Sequence, residues 1–158
     1  MQLKWHLSHA RGYLELGMVE EAAAELDRIP ELSASEHDVR VLRALVLQEQ
    51  KKWVRLVPLA AGLAREKPDD AGWWIMWAYA TRRAASLPAA EKILLEAETY
   101  HPKEATIQFN LGCYACQRGD LASARKRVDR AIALDSHYRD AAETDPDLAA
   151  LRESEAKA

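Results

Sequence analysis

Four segments of 34 residues, 3–36, 37–70, 71–104 and 105–138, run end to end through this 158-residue chain with nothing inserted or lost between them. Laid over one another as frames, they match in side-chain size position by position. Position 8 reads Ala10, Ala44, Ala78, Gly112, and position 20 reads Ala22, Leu56, Ala90, Ala124. Position 17 reads Val19, Trp53, Leu87, Leu121, and position 24 reads Leu26, Ala60, Leu94, Val128. A fixed period of this length marks a stack of similar units, none of which buries its apolar face alone. Such a stack builds an extended surface, which suits binding better than catalysis.

The fourth frame shows what one unit contains. Leu111, Gly112 and Ala115 fall at helical spacing, and Arg118-Gly119-Asp120 then breaks the pattern. Glycine takes the left-handed conformation that ends a helix without steric cost, and aspartate caps the helix that follows. Leu121, Ala124, Val128, Ala131 and Ile132 recur at three- and four-residue spacing, a second amphipathic helix. The unit is helix, tight turn, helix, and so short a turn makes the two helices pack antiparallel. Small residues at positions 8 and 20 let the backbones approach, with larger ones at 17 and 24 filling the space around them. Pro68 and Pro102 close frames two and three, whereas Pro30 comes four positions early and predicts a shorter second helix in frame one.

Hydrophobic residues make up 49% of the chain, enough for one packed domain. Charged residues make up 30% with a net charge of −3, and no basic excess points to nucleic acid. The imbalance is local: residues 139–158 hold six acidic side chains and three basic ones. The segment near the start carries Lys4, His6, His9 and Arg11 without an apolar run, so no secretion leader is expected. No stretch approaches the roughly 20 apolar residues of a membrane span. The expectation is a cytoplasmic protein without membrane attachment and without a cofactor. Phosphate-binding, nucleophile-elbow and zinc-protease motifs are all missing, so no enzyme is expected.

These features together resemble the tetratricopeptide-repeat (TPR) family. Its carriers are Leu111-Gly112, Arg118-Gly119-Asp120, Ala124 and Ala131 in frame four; Trp74, Ala78, Ala90, Ala97 and Pro102 in frame three; and Ala10, Tyr13, Gly17 and Ala22 in frame one. The resemblance implies an all-α, right-handed α-solenoid: four tandem helix-turn-helix repeats in one domain over residues 1–158, closed by a C-terminal capping helix within 139–158. Asp145 is the expected cap of that helix, with Pro146 at its first position and Leu148 and Leu151 over the last repeat's apolar edge. Frames one and two depart from the family at positions 4 and 7, which usually hold large apolar residues. Here they hold His6 and His9, then Arg40 and Arg43. The histidines fit a solvated end-helix. The arginines fit apolar stems with heads in water.

In the family the first helices line a concave groove. By resemblance, the groove residues here are Leu7, Arg11 and Leu14; Val41, Leu45 and Gln48; Ile75, Tyr79, Arg82 and Arg83; and Phe109, Cys113 and Gln117. They assemble an apolar seam, made basic in frame three by Arg82 and Arg83, that complements a peptide with spaced apolar anchors and a few acids. The alternative for Leu7, Val41, Ile75 and Phe109 is packing between adjacent first helices. Repeats of this family that clamp the terminal carboxylate of chaperone tails use Lys, Asn and Arg where this chain has Leu7, Arg11, Leu42, Gly72 and Met76, so no such clamp is expected.

The function implied is a non-enzymatic protein-interaction scaffold holding a peptide or partner segment. Three alternatives stay open. One is a secretion-type chaperone for a client protein, although the dimerisation helix usual ahead of such repeats is not seen. Another is a redox or metal protein using Cys113 and Cys116, although their C-x-x-C lies midway along a helix and lacks a second pair. The third is a homo-oligomer stacked through the first frame. Trp74 and Trp77 are expected in the core, with Trp73 at a repeat edge.

Overall fold

The computed structural model describes residues 2–158, and every regular element among them is helical. Four hairpins follow the frames: α1 (Gln2–Glu15) with α2 (Val19–Asp27), α3 (His37–Glu49) with α4 (Trp53–Glu66), α5 (Ala71–Ala84) with α6 (Leu87–Tyr100), and α7 (Ala105–Gln117) with α8 (Leu121–Leu134). All four second helices begin at position 17. The hairpins gather into two compact units, one ending at Lys67 and the other starting at Pro68. The second unit also contains α9 (Tyr138–Thr144), a 3₁₀ turn at Pro146–Leu148, and α10 (Ala149–Ala156).

Local sequence sets the ends of these helices. α2 has 9 residues where α4, α6 and α8 each have 14, because Pro30 stops it and a 3₁₀ turn at Glu31–Ser33 takes up the remainder. Position 15 turns the chain through the left-handed region at Gly17 (φ 72°), Lys51 (φ 55°) and Gly119 (φ 86°). Lys51 bears a steric cost there that glycine avoids. Asp120 caps α8 by accepting the Ser123 N–H at 3.1 Å, and Ser86 caps α6 by accepting the Ala89 N–H at 3.2 Å. The closing segment is built as two short helices, because Asp145 accepts the Asp147 N–H at 2.8 Å and Pro146 starts a fresh turn.

Within each hairpin the small residues lie at the line of contact. Ala10, Ala44, Ala78 and Gly112 are all buried, as are Ala22, Ala90 and Ala124. Frame two exchanges sizes, with Leu56 at position 20 and Ala60 at position 24, and both remain buried. α7 and α8 come closest: a Cβ on Gly112 would sit 2.9 Å from Val128 Cγ2 and 3.2 Å from Arg127 Cβ. That gap excludes even a methyl group without movement of α8.

Position 4 explains the departures noted in the sequence. It faces position 23 of the same hairpin, and polar residues there are matched across the pair. His6 is not solvated: it is 7% exposed, and its Nδ1 lies 2.5 Å from Glu25 Oε1. Glu25, itself buried, also accepts Arg28 at 3.1 Å. His9 is exposed beside Trp5, as expected of an outer face. In frame four, fully buried Gln108 accepts Arg127 at 2.8 Å and donates to Glu98 at 2.6 Å. Frame three solves the same position with carbon. Trp74 is buried, as is Ile93; its indole N–H donates to the Pro68 carbonyl at 3.1 Å, and its ring stacks on Tyr100. Trp77 lies 5.6 Å from Trp74 and is half-buried, as is Trp73.

Frame two has Leu59 at position 23, so Arg40 turns elsewhere. It pairs with Glu66, which also bonds His37 at 3.0 Å. Arg43 donates to the Leu26 carbonyl at 3.0 Å and lies 3.5 Å from Asp27. The arginine heads are therefore tied to neighbouring helices rather than simply hydrated, and the Nε of each is buried without a partner. An open cavity of about 650 Å³ borders this region, lined by Ala23, Leu26, Arg43, Val46, Pro58 and Leu59 among others.

Two outcomes follow from this packing. Gly112→Ala overpacks the α7–α8 contact and lowers stability by about 1–3 kcal/mol, measured by chemical denaturation. For Glu98, burial pushes the carboxyl pKa up, but hydrogen bonds from Arg127 and Gln108 outweigh it and hold the pKa below the ordinary value. Its folded pKa is depressed, so its contribution is complete above the unfolded value of about 4.3 and is lost as pH falls through the folded one. Wild type should be more stable than Glu98→Gln at neutral pH, with the gap closing on acidification below pH of about 4.

Candidate functional site

The residues assigned to an inner face lie on first helices, at positions 5, 9, 12 and 13. In the first unit these positions range from half-buried to exposed. Leu7 and Leu14 are half-buried and pack along the unit's core, while Arg11 beside them is exposed. Val41 and Gln48 are half-buried, and Leu45 is 37% exposed. The face combines apolar side chains that keep some water contact with a cation at its edge.

In the second unit α5 presents a similar surface. Ile75 is half-buried, Tyr79 is 43% exposed, and the Arg83 guanidinium lies 3.2 Å from the centre of the Tyr79 ring. Arg83 also donates to the Tyr79 carbonyl at 3.1 Å, so its guanidinium is held against its own helix by both contacts.

The α7 face is different, because the chain's own closing segment lies across it. Phe109, at position 5, is buried under Tyr138, with ring centres 4.7 Å apart. The Tyr138 hydroxyl meets Thr106 Oγ1 at 2.6 Å. Cys113, at position 9, is buried beside Asp145 and Asp147. Gln117, at position 13, donates to the Asp147 carbonyl at 2.9 Å. Arg82, reaching across from α5, grips the Asp147 carboxylate through two nitrogens at 2.5 and 3.1 Å. Leu148 and Leu151 are 1% and 4% exposed, closing the apolar edge as expected. Phe109 and Cys113 are thus covered rather than open, and the Arg82 charge is already matched. The Asp147 bond raises the Arg82 pKa above its already high value.

Half of this arrangement is visible in the sequence: the acid excess after residue 138 and the basic pair at Arg82 and Arg83. What the sequence hides is the path of the chain after Asp145, which brings partners 65 residues apart into a two-pronged ion pair.

The two cysteines of the C-x-x-C lie away from a helix N-terminus. Cys113 and Cys116 are free and buried one turn apart in mid-helix. Burial, reinforced by the charges of Asp145 and Asp147, pushes the Cys113 thiol far up, opposite to an activated thiolate. Ligand atoms of Cys113, Asp145 and Asp147 do lie within 4.8 Å of one another. However, Asp147 is committed to Arg82 and Asp145 to a backbone N–H, and a neighbouring guanidinium opposes a second cation there.

Several solved structures match this architecture. MamA from Desulfovibrio magneticus RS-1 superposes with a TM-score of 0.74 at 17% identity, over 84% of this chain and 75% of that one. The TPR protein TTC0263 of Thermus thermophilus superposes at 0.68 with 18% identity, over 98% of this chain and 82% of its own. The chain has the tetratricopeptide-repeat fold. YrrB, described as a TPR protein with an unusual peptide-binding site, superposes at 0.69 with 17% identity, over 92% of this chain and 71% of that one. No protein-family profile and no curated protein matches the chain. Among the described residues, no helix is long and apolar enough to cross a membrane.

Proposed function

We propose that this TPR chain is an interaction module that performs no chemistry and holds an extended segment of a partner protein on the inner faces of its first helices. The observation that carries the reading is the closing segment itself. An acidic and leucine-bearing stretch seats against α7 through the frame positions assigned to ligand contact, with Arg82 on its carboxylate and Gln117 on its backbone. The equivalent positions of α1 and α3 hold side chains of the same kind that are half-buried or exposed. The likeness to YrrB, described as having a peptide-binding site, supports the reading.

On this proposal the contact residues of the first unit are Leu7, Arg11, Leu14, Val41, Leu45 and Gln48. Those of the second are Ile75, Tyr79 and Arg83, with Arg82, Phe109, Cys113 and Gln117 reached only where the closing segment gives way. A buried leucine- or tyrosine-sized anchor contributes about 1.5–3 kcal/mol. A handful of such anchors, after the cost of association, bring affinity to the micromolar range, about −8 kcal/mol.

Two variants test each unit separately: Arg11→Glu with Leu45→Asp, and Tyr79→Ala with Arg83→Glu. Affinity purification from the source cell should identify a partner with wild type, and binding of that purified partner should weaken by about tenfold or more in at least one variant. Circular dichroism should show unchanged helicity in both. Undiminished binding by both variants refutes the surface.

A further inference from the structure

Four residues in sequence, Asp145-Pro146-Asp147-Leu148, behave in the structure as a bound peptide would. The Asp147 carboxylate is held by the two terminal nitrogens of the Arg82 guanidinium, its backbone carbonyl by the Gln117 amide, and Leu148 is 1% exposed. Arg82 is fixed in turn over the Tyr114 ring, 5.2 Å from its centre. The receptor groups lie on α5 and α7, and the bound groups lie in a turn preceded by α9, only 7 residues long. Upstream, Tyr138 anchors to Phe109 and Thr106; downstream, Arg152 donates to the Ala142 and Asp145 carbonyls at 2.9 Å. The turn thus has an attachment on each side, and its own grip rests on one ion pair, one amide and one leucine.

We propose that residues 145–148 are an internal ligand that occupies the recognition face of α5 and α7, and that the partner this face accepts is a peptide carrying the same elements: an aspartate for Arg82 followed directly by a leucine. The inference rests on the interaction function proposed above and specifies its ligand chemistry. Arg82, Gln117 and the Leu148 recess read an acid, the backbone at that same residue, and an apolar side chain next to it. That is a selective combination, because a bidentate arginine requires a planar carboxylate and a backbone contact fixes register. A tethered ligand competes at high effective concentration, so an external peptide meets a face that is only fractionally open. Weak binding by the resting protein, and stronger binding once the turn is released, is the signature of this arrangement.

The probe is a fluorescently labelled synthetic peptide reproducing residues 143–152, titrated with the full-length protein and followed by anisotropy. Asp147→Lys with Leu148→Ser removes the internal ligand, and this variant should bind the peptide at least about tenfold more tightly than wild type. Adding Arg82→Glu to that variant should return binding to the wild-type level or below. Amide hydrogen exchange of the tail variant should quicken at 145–148 while α5 to α8 keep their protection. Equal binding by wild type and the tail variant overturns the proposal, as does binding indifferent to Arg82→Glu. No binding by any form overturns it too. Loss of protection throughout α7 and α8 overturns it by showing that the segment is a structural cap. Concentration-dependent association of wild type that the tail variant abolishes overturns it by placing the segment on a second copy. None of these results depends on a cellular partner, so the internal-ligand proposal and the general interaction function fail independently.

Discussion

Backbone-to-backbone proximity inside each hairpin is the constraint on which everything else here depends. At position 8 the chain permits Ala10, Ala44 and Ala78, and at Gly112 not even a methyl group. Dispersion and burial fall away quickly with distance, so a fixed close contact sets the rotation of one helix against its partner. Once that rotation is set, every other frame position has a face. Position 4 meets position 23 in frames one and four, and the surface left over on the first helices includes Arg11, Leu45 and Tyr79 at position 9. Function enters only at this last step, through what the outward positions carry.

The same constraint accounts for the buried polar groups. A polar residue at position 4 cannot avoid the hairpin interior, so it must find a partner or leave a costly unpaired group. His6 finds Glu25 and Gln108 finds Arg127, each across the same pair of frame positions. Frame two lacks that complement at Leu59, and there Arg40 reaches Glu66 with its Nε left over. A single position thus has four chemistries, and the one without a local partner has an open cavity nearby.

Much of this is legible in the sequence because the period is unbroken. The second helices begin at 19, 53, 87 and 121, the early Pro30 shortens α2, and Asp120 caps α8. Leu148 and Leu151 cover the last repeat. The departures have a common cause. Its place in the first frame puts His6 in solvent, because Glu25 reads in sequence as one more acid in a charged run. Frame position likewise puts Phe109 and Cys113 in an open groove, because it describes a helix's neighbours only while the repeat continues. Past residue 138 the pattern stops, and the path of the chain is set by Asp145-Pro146 and by an ion pair that no local signal announces. Arg40 and Arg43 are illegible for a similar reason: their partners lie on other helices, at positions the repeat leaves variable.

Position 9 supplies the most direct test, since it samples the proposed inner face once per repeat at Arg11, Leu45, Tyr79 and Cys113. In a Cys116→Ser background, single cysteines at 11, 45 and 79, each with Cys113→Ser, can be compared with native Cys113 for their rate of reaction with a thiol reagent. The account predicts fast labelling at the first three and labelling slower by about two orders of magnitude at Cys113, tracking its burial and raised thiol pKa. Four similar rates, or slow labelling at 11, 45 and 79, would contradict it.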